Sequence, residues 1–178
     1  MKKLQNNLKL TAILAILAAI SIVTGKYLGI NAGEYMRFSL ENMPVIFAGL
    51  AFGPVPGVVV GVSADLIGCA LMGWAPIPWV TVGAAAIGLV SGLMPMLLKK
   101  TKISLPLLVG LTVAAAHIIG SLFIKSIGLS DFYGTPYYVT LLWRVTNYII
   151  VGLIDGSVVY VLLKNKEIKN RISAIKGD

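Results

Sequence analysis

From Asn42 to Leu98 the chain reads NMPVIFAGLAFGPVPGVVVGVSADLIGCALMGWAPIPWVTVGAAAIGLVSGLMPMLL, and in that whole run Asp65 is the only acidic or basic side chain. One bilayer crossing as a helix takes roughly 17 to 25 apolar residues, so the run holds two or three crossings. Backbone polar groups in hydrocarbon must be bonded internally, which leaves helices or a closed barrel. The apolar and polar residues do not alternate as barrel strands require. Outward from this run, charge-poor stretches extend from Leu10 to Gly25, Ile103 to Ile124 and Val145 to Leu163, each long enough for a crossing. A chain of 178 residues that is 57% hydrophobic and 12% charged has more apolar surface than one soluble core can hide. The expected fold class is all α: a polytopic bundle of six transmembrane helices, forming a single domain over residues 1–178.

The cations fall in three clusters. Lys2, Lys3 and Lys9 precede the first crossing, Lys99, Lys100 and Lys102 lie centrally, and Lys164, Lys166, Lys169, Arg171 and Lys176 form the tail. Such flanks mark the cytoplasmic side, so the net charge of +8 sets topology and implies no nucleic-acid partner. Between cytoplasmic clusters the number of crossings is even, which predicts four before Lys99, two after it, and both termini in the cytoplasm. The helices are placed at Leu8 to Lys26, Met43 to Phe52, Pro54 to Gly73, Pro78 to Leu98, Leu105 to Ile127 and Tyr137 to Leu163. The second is short, and Gly53-Pro54-Val55-Pro56-Gly57 turns it into the third. The first follows a basic start like a signal peptide, yet no small-residue cleavage site precedes a soluble domain, so it is expected to stay as a helix. Cys69 has no partner for a disulfide and is read as a packing residue.

The outer side then carries the loops Tyr27 to Asn42, Trp74 to Trp79 and Gly128 to Pro136. Lys26, Arg37, Lys125 and Arg144 gather there, the only basic residues outside the flanks, with Glu34, Glu41 and Asp131. This reads as a binding mouth, or else as ordinary solvated loops with an aromatic belt. Asp65 is the first residue to single out, because a carboxylate within a membrane helix costs on the order of 2.5–3.5 kcal/mol to insert and must face the bundle or a wet cavity. At roughly 1.5 Å per residue from the Gly53-Pro54 turn it lies in the outer half of its helix. It either accepts paired hydrogen bonds from an amidine-like ligand edge or forms a structural ion pair with Arg37 or Arg144. On the last helix Arg144, Asn147, Tyr148 and Asp155 share one stripe at 100° per residue, pointing inward. Arg144 suits a carboxylate, Asn147 offers a donor and an acceptor, and Asp155, several turns deeper, is structural.

Trp74 and Trp79 bracket Pro76 and Pro78, where their rings can stack on a flat ligand or anchor the interface. His117 stands alone in mid-helix and is expected to be packed or hydrogen-bonded. Neither a metal site nor any other cofactor is expected. Thr11, Ala15 and Ala19 recur every four residues and make a smooth face for close helix approach. Gly49, Gly53, Gly57 and Gly61 repeat that spacing and are assigned to contact between the second and third helices. No nucleotide loop is visible, so the chain alone has no means of hydrolysing ATP.

The run Met36-Arg37-Phe38-Ser39-Leu40-Glu41-Asn42-Met43-Pro44-Val45, followed by Phe52-Gly53-Pro54-Val55-Pro56-Gly57, Gly61 and Ser63-Ala64-Asp65-Leu66, resembles the substrate-binding subunits of energy-coupling factor vitamin transporters, most closely the folate-specific ones. Ala15-x-x-x-Ala19 matches the same superfamily. The resemblance implies a subunit without enzymatic activity in a prokaryotic plasma membrane, binding a vitamin from outside and passing it on with a transmembrane coupling protein and two cytoplasmic ATPases. It implies that Ala15 and Ala19 face the coupling protein and that Tyr27 to Asn42 gates the ligand. For folate or a related pterin, Asp65 would pair with the pterin edge, Trp74 or Trp79 would stack on the rings, and Arg37 and Arg144, with Lys26 and Lys125 behind them, would meet the carboxylates of the tail. Alternatives are the same architecture for thiamine, riboflavin or a queuosine precursor, and a small channel or membrane enzyme. Cationic thiamine leaves the external arginines unexplained, and no nucleophile–base pair supports an enzyme.

Overall fold

The computed structural model describes residues 2–31, 37–99, 101 and 103–176, and the side chains of residues 2–4, 31 and 37 lie outside the described residues. The helices run in chain order as α1 (Lys2–Ile22), α2 (Asn42–Phe52), α3 (Pro54–Met72), α4 (Pro78–Leu97), α5 (Leu105–Ala116), α6 (Lys125–Tyr133), α7 (Tyr137–Lys164) and α8 (Lys166–Lys176). Two π-helical stretches extend them, Val23–Tyr27 after α1 and His117–Ile124 joining α5 to α6. Between α1 and α2 a two-residue antiparallel ladder pairs β1 (Ile30–Asn31) with β2 (Arg37–Phe38).

The bundle is all α, as the hydropathy demanded. Among the described residues, five spans are long and apolar enough to cross a membrane: Gln5–Tyr27, Pro54–Met72, Pro78–Leu97, Leu105–Tyr133 and Tyr137–Lys164. Large apolar side chains point outward as well as inward. Ile16, Leu66, Leu71, Phe123 and Leu153 are exposed while Ile46, Val60 and Ile87 are fully buried, a pattern suited to lipid. The sixth expected crossing, α2, has 11 residues, roughly 16 Å at helical rise. That is about half the hydrocarbon thickness. Pro44 to Gly49 and Ala51 are buried, so α2 ends inside protein, where interrupted backbone is tolerated.

The hub is α4, packed against α2, α3, α5, α6 and the second π stretch. A seam of small residues allows this. A side-chain carbon on Gly57 or Gly61 would strike the α4 backbone at Gly88 or Ala84, and one on Gly49 would strike Ser91. The glycine series assigned to the α2–α3 contact does meet itself at Gly49 and Gly57, but its main role is to seat α4. Gly53 turns α2 into α3 at φ 106°, with Pro54 in the first turn of α3.

Two expectations need correcting. The Gly128 to Pro136 loop is helical up to Tyr133, because the fifth crossing continues through its π stretch into α6, and Gly134 ends it at φ 63°. The basic tail is a helix of its own, α8, whose Ile168 and Ile172 pack against the core. Asn6 Nδ2 donates to the Ala174 carbonyl at 3.4 Å, so the start of α1 and the end of α8 share one face of the bundle.

Candidate ligand-binding site

α2 starts and α3 reaches Asp65 at nearly the same height, roughly 16 to 18 Å above the Gly53 turn at helical rise. Charges that the sequence scatters over a hundred positions converge there. A cavity of about 20 Å³ is lined by Ser21, Lys26, Glu41, Asn42, Asp65 and Lys125, with Gly61 and Ala84 among its apolar walls. That is room for about one water.

Two lysines enter from different crossings, and each lays its stem across a glycine. Lys26, in the π turn that ends α1, passes over Gly68 of α3. Lys125, at the head of α6, passes over Gly83 of α4. Lys125 Nζ donates to Glu41 Oε1 at 2.9 Å and to Asn42 Oδ1 at 3.4 Å. Ser21 Oγ donates to the Glu41 carbonyl at 2.6 Å, which ties α1 to the head of α2. The Lys125 ammonium holds the Glu41 carboxyl down at about 2, with burial opposing and Lys26 and Arg144 assisting. Asp65 is buried; its Oδ2 accepts from Thr81 Oγ1 at 2.7 Å. Its Oδ1 meets Lys26 Nζ at 3.8 Å and Cys69 Sγ at 4.0 Å, both long for a hydrogen bond. One oxygen of Asp65 is thus firmly held and the other only loosely engaged.

Asp65 therefore lies in the cavity, and among the described side chains its cation is Lys26; Arg144, one of the two ion-pair partners considered for it, is elsewhere. Trp74 is half-exposed and lies under the Lys26 ammonium, 5.3 Å from ring centroid to Nζ. Trp79, in the first turn of α4, packs against Gly128 of α6. Arg144 turns aside from the cavity: its Nε and Nη2 donate to the Ser121 carbonyl at 3.2 and 3.0 Å, and Nη2 also reaches Tyr148 Oη at 3.2 Å. Asn147 is buried on the inward stripe of α7. The Arg37 side chain and Glu34 lie outside the described residues.

Below this level His117 Nε2 and Asp155 Oδ2 meet at 3.1 Å, and His117 Nδ1 lies 3.3 Å from Ser121 Oγ. Both residues are buried, so this polar chain joins the fifth crossing to α7. A larger groove of about 550 Å³ runs between α5 and α7, but Ile118, Ile149 and Leu153 line it and are exposed on the lipid side. Its walls offer little to a polar, charged ligand.

Sequence reading passed over Thr81, Ser21 and Asn42, whose hydroxyl and amide groups are ordinary in membrane helices. Glu41 it placed at the mouth without a partner. The available signal was its position, a carboxylate at the start of an apolar run, where burial demands a cation.

The family model described as "ECF transporter, substrate-specific component" matches residues 9–163. The chain belongs to that family. Members are integral membrane proteins that bind vitamins and work with a membrane coupling protein and ATPases, and they are not enzymes. Among solved structures, this ECF substrate-specific component is similar to FolT crystallised with folic acid, with a TM-score of 0.69 and 20% identity over 85% of this chain and 90% of that one. It is similar to the S-component for biotin from an ECF-type ABC transporter, with a TM-score of 0.68 and 21% identity over 90% and 94% of the two chains. It also matches an S component of a bacterial ECF transporter at a TM-score of 0.58 and 20% identity, over 97% of this chain and 99% of that chain. No curated protein matches in sequence.

Proposed function

We propose that this ECF substrate-specific component captures folate or a related pterin at the Asp65 cavity and releases it inward through a coupling protein and two ATPases. The observation that carries the proposal is the loosely held Asp65 Oδ1 beside the Lys26 ammonium, with the Lys125–Glu41 pair lining the same cavity. A ligand matched to those groups brings both an edge of adjacent N–H donors and at least one carboxylate. A pterin edge and a glutamate tail supply both. A cationic vitamin would have to enter beside Lys26, Lys125 and Arg144.

A cavity of about 20 Å³ admits a vitamin only when its outer wall parts. Trp74 over Lys26 would swing outward and then close on the flat rings, with Trp79 beside them. Arg144 and Asn147, one turn apart on α7, would meet the tail once Arg144 leaves the Ser121 carbonyl. Docking of the coupling protein belongs to α1. Thr11, Ala15 and Ala19 are exposed, while Leu14, Leu17, Ala18 and Ile22 of the same helix pack against the core.

The test is a titration of the purified, detergent-solubilised chain with folate, read by quenching of tryptophan fluorescence. Saturable quenching that excess biotin, thiamine or riboflavin does not reverse is the expected result. Quenching produced by one of those vitamins and not by folate would reassign the ligand.

A further inference from the structure

The helix that the sequence reading missed, α8, has a composition and a position that the capture of a vitamin leaves unexplained. Its start is built into the chain: Asn165 has extended backbone (ψ 123°) after α7, and its Oδ1 accepts the Glu167 backbone N–H at 2.9 Å, which caps a new helix. α8 then folds back across the ends of α1 and α2. Ile168, Ile172 and Ile175 form one stripe at 100° per residue, and the first two reach the core. On the same helical wheel Lys169 and Lys176 flank one side of that stripe and Arg171 the other, all exposed. From Lys164 to Lys176 the chain sets five cations against the single carboxylate of Glu167. Lys164 lies over the Tyr160 ring at 5.5 Å, at the end of α7, and Lys9 is exposed near the start of α1.

We infer that α8 is an interfacial strap that binds anionic phospholipid headgroups of the cytoplasmic leaflet. With its apolar stripe turned to the bundle, α8 presents exposed cations on both flanks, and their long side chains reach headgroup phosphates. The cytoplasmic leaflet is negatively charged, and each nearby Lys or Arg adds to the attraction. The contact of Asn6 with Ala174 places α8 level with the start of the first membrane span, which is headgroup depth. Because the apolar stripe is spent on the bundle, charge is what remains to meet the lipid, and binding is therefore selective for anionic headgroups and sensitive to salt.

The experiment places the full chain in nanodiscs of phosphatidylcholine alone or with three parts in ten phosphatidylglycerol, and follows thermal unfolding. The anionic lipid is expected to raise the midpoint by several degrees, and 0.5 M NaCl to remove most of that rise. The variant K166Q/K169Q/R171Q/K176Q should match the unaltered protein in phosphatidylcholine and lose the rise in phosphatidylglycerol. Equal midpoints of the unaltered protein in the two lipids, or a rise kept by the glutamine variant, would overturn the inference. Should that variant fail to fold, the salt series on the unaltered protein decides: a rise that persists at 0.5 M NaCl also overturns it.

Discussion

Lys125 donates to Glu41 at 2.9 Å across 84 positions of sequence, and this contact fixes the head of α2 against the junction where the fifth crossing passes from π to α geometry. A second pair, Lys26 with Asp65 at 3.8 Å, stands across the same cavity. Among the described residues the charges of the site thus balance. Any charged ligand must exchange partners with these four groups, which ties ligand capture to local rearrangement.

The Glu41 carboxyl is held at about 2, below its ordinary 4.5, chiefly by Lys125. A carboxylate depressed in the folded state adds stability that is complete above its ordinary value and is lost as the pH falls through the folded value. The depression corresponds to on the order of 3 kcal/mol. The thermal midpoint in detergent should therefore be flat between pH 7 and 5 as far as this group is concerned, and fall below about 4.5. Glu41→Gln should lower the midpoint at pH 7 and flatten the acid limb. Parallel acid limbs in the two proteins would show that the pair does not carry this dependence.

Asp65→Asn should weaken folate binding at least tenfold while leaving membrane insertion intact, since it removes the charge that faces the ligand edge. Thr81→Val should weaken it about fivefold, the worth of roughly one hydrogen bond that orients the carboxylate. Fluorescence titration of both variants checks the order. Unchanged affinity in Asp65→Asn would make Asp65 a structural ion-pair member only.

The small-residue seam gives a matched pair of substitutions. A side chain on Gly88 would collide with the backbone of Gly57, whereas Gly110 has nothing within 4 Å. Gly88→Ala should destabilise by about 1–3 kcal/mol, and Gly110→Ala should stay within about 0.5 kcal/mol of the parent. Thermal midpoints of equal size in the two variants would contradict the hub role of α4.

Most of the fold was legible because lipid leaves so few solutions: charge-free length gave five of the six expected crossings, and the short α2 fell below the length of a span. The site was legible only in part. Asp65 stood out because an isolated acid in hydrocarbon is costly, but its partner did not, since Lys26 and Lys125 sit at helix ends where lysines are also ordinary flanks. Arg144 was expected on the inward stripe of the last helix, but its tie to a backbone carbonyl was not. The π stretch presents the Ser121 carbonyl to its guanidinium, and π geometry has no signature in residue type. α8 was missed because its basic residues matched the topology rule so well that the isoleucine stripe between them went unused.

On α1, the exposed face of Thr11, Ala15 and Ala19 should tolerate bulk in the isolated subunit. Ala15→Leu and Ala19→Leu should each keep folate affinity within about twofold and reduce cellular uptake several-fold, because the added side chains hold an approaching helix away. Normal uptake in both variants would remove the docking role from this face.

The most direct test of the account is to denature the purified protein and identify what it releases, by absorbance and mass analysis. A folate or related pterin at close to one per chain is the predicted result. Release of a different vitamin, or an empty protein that also fails to bind added folate, would contradict the assignment.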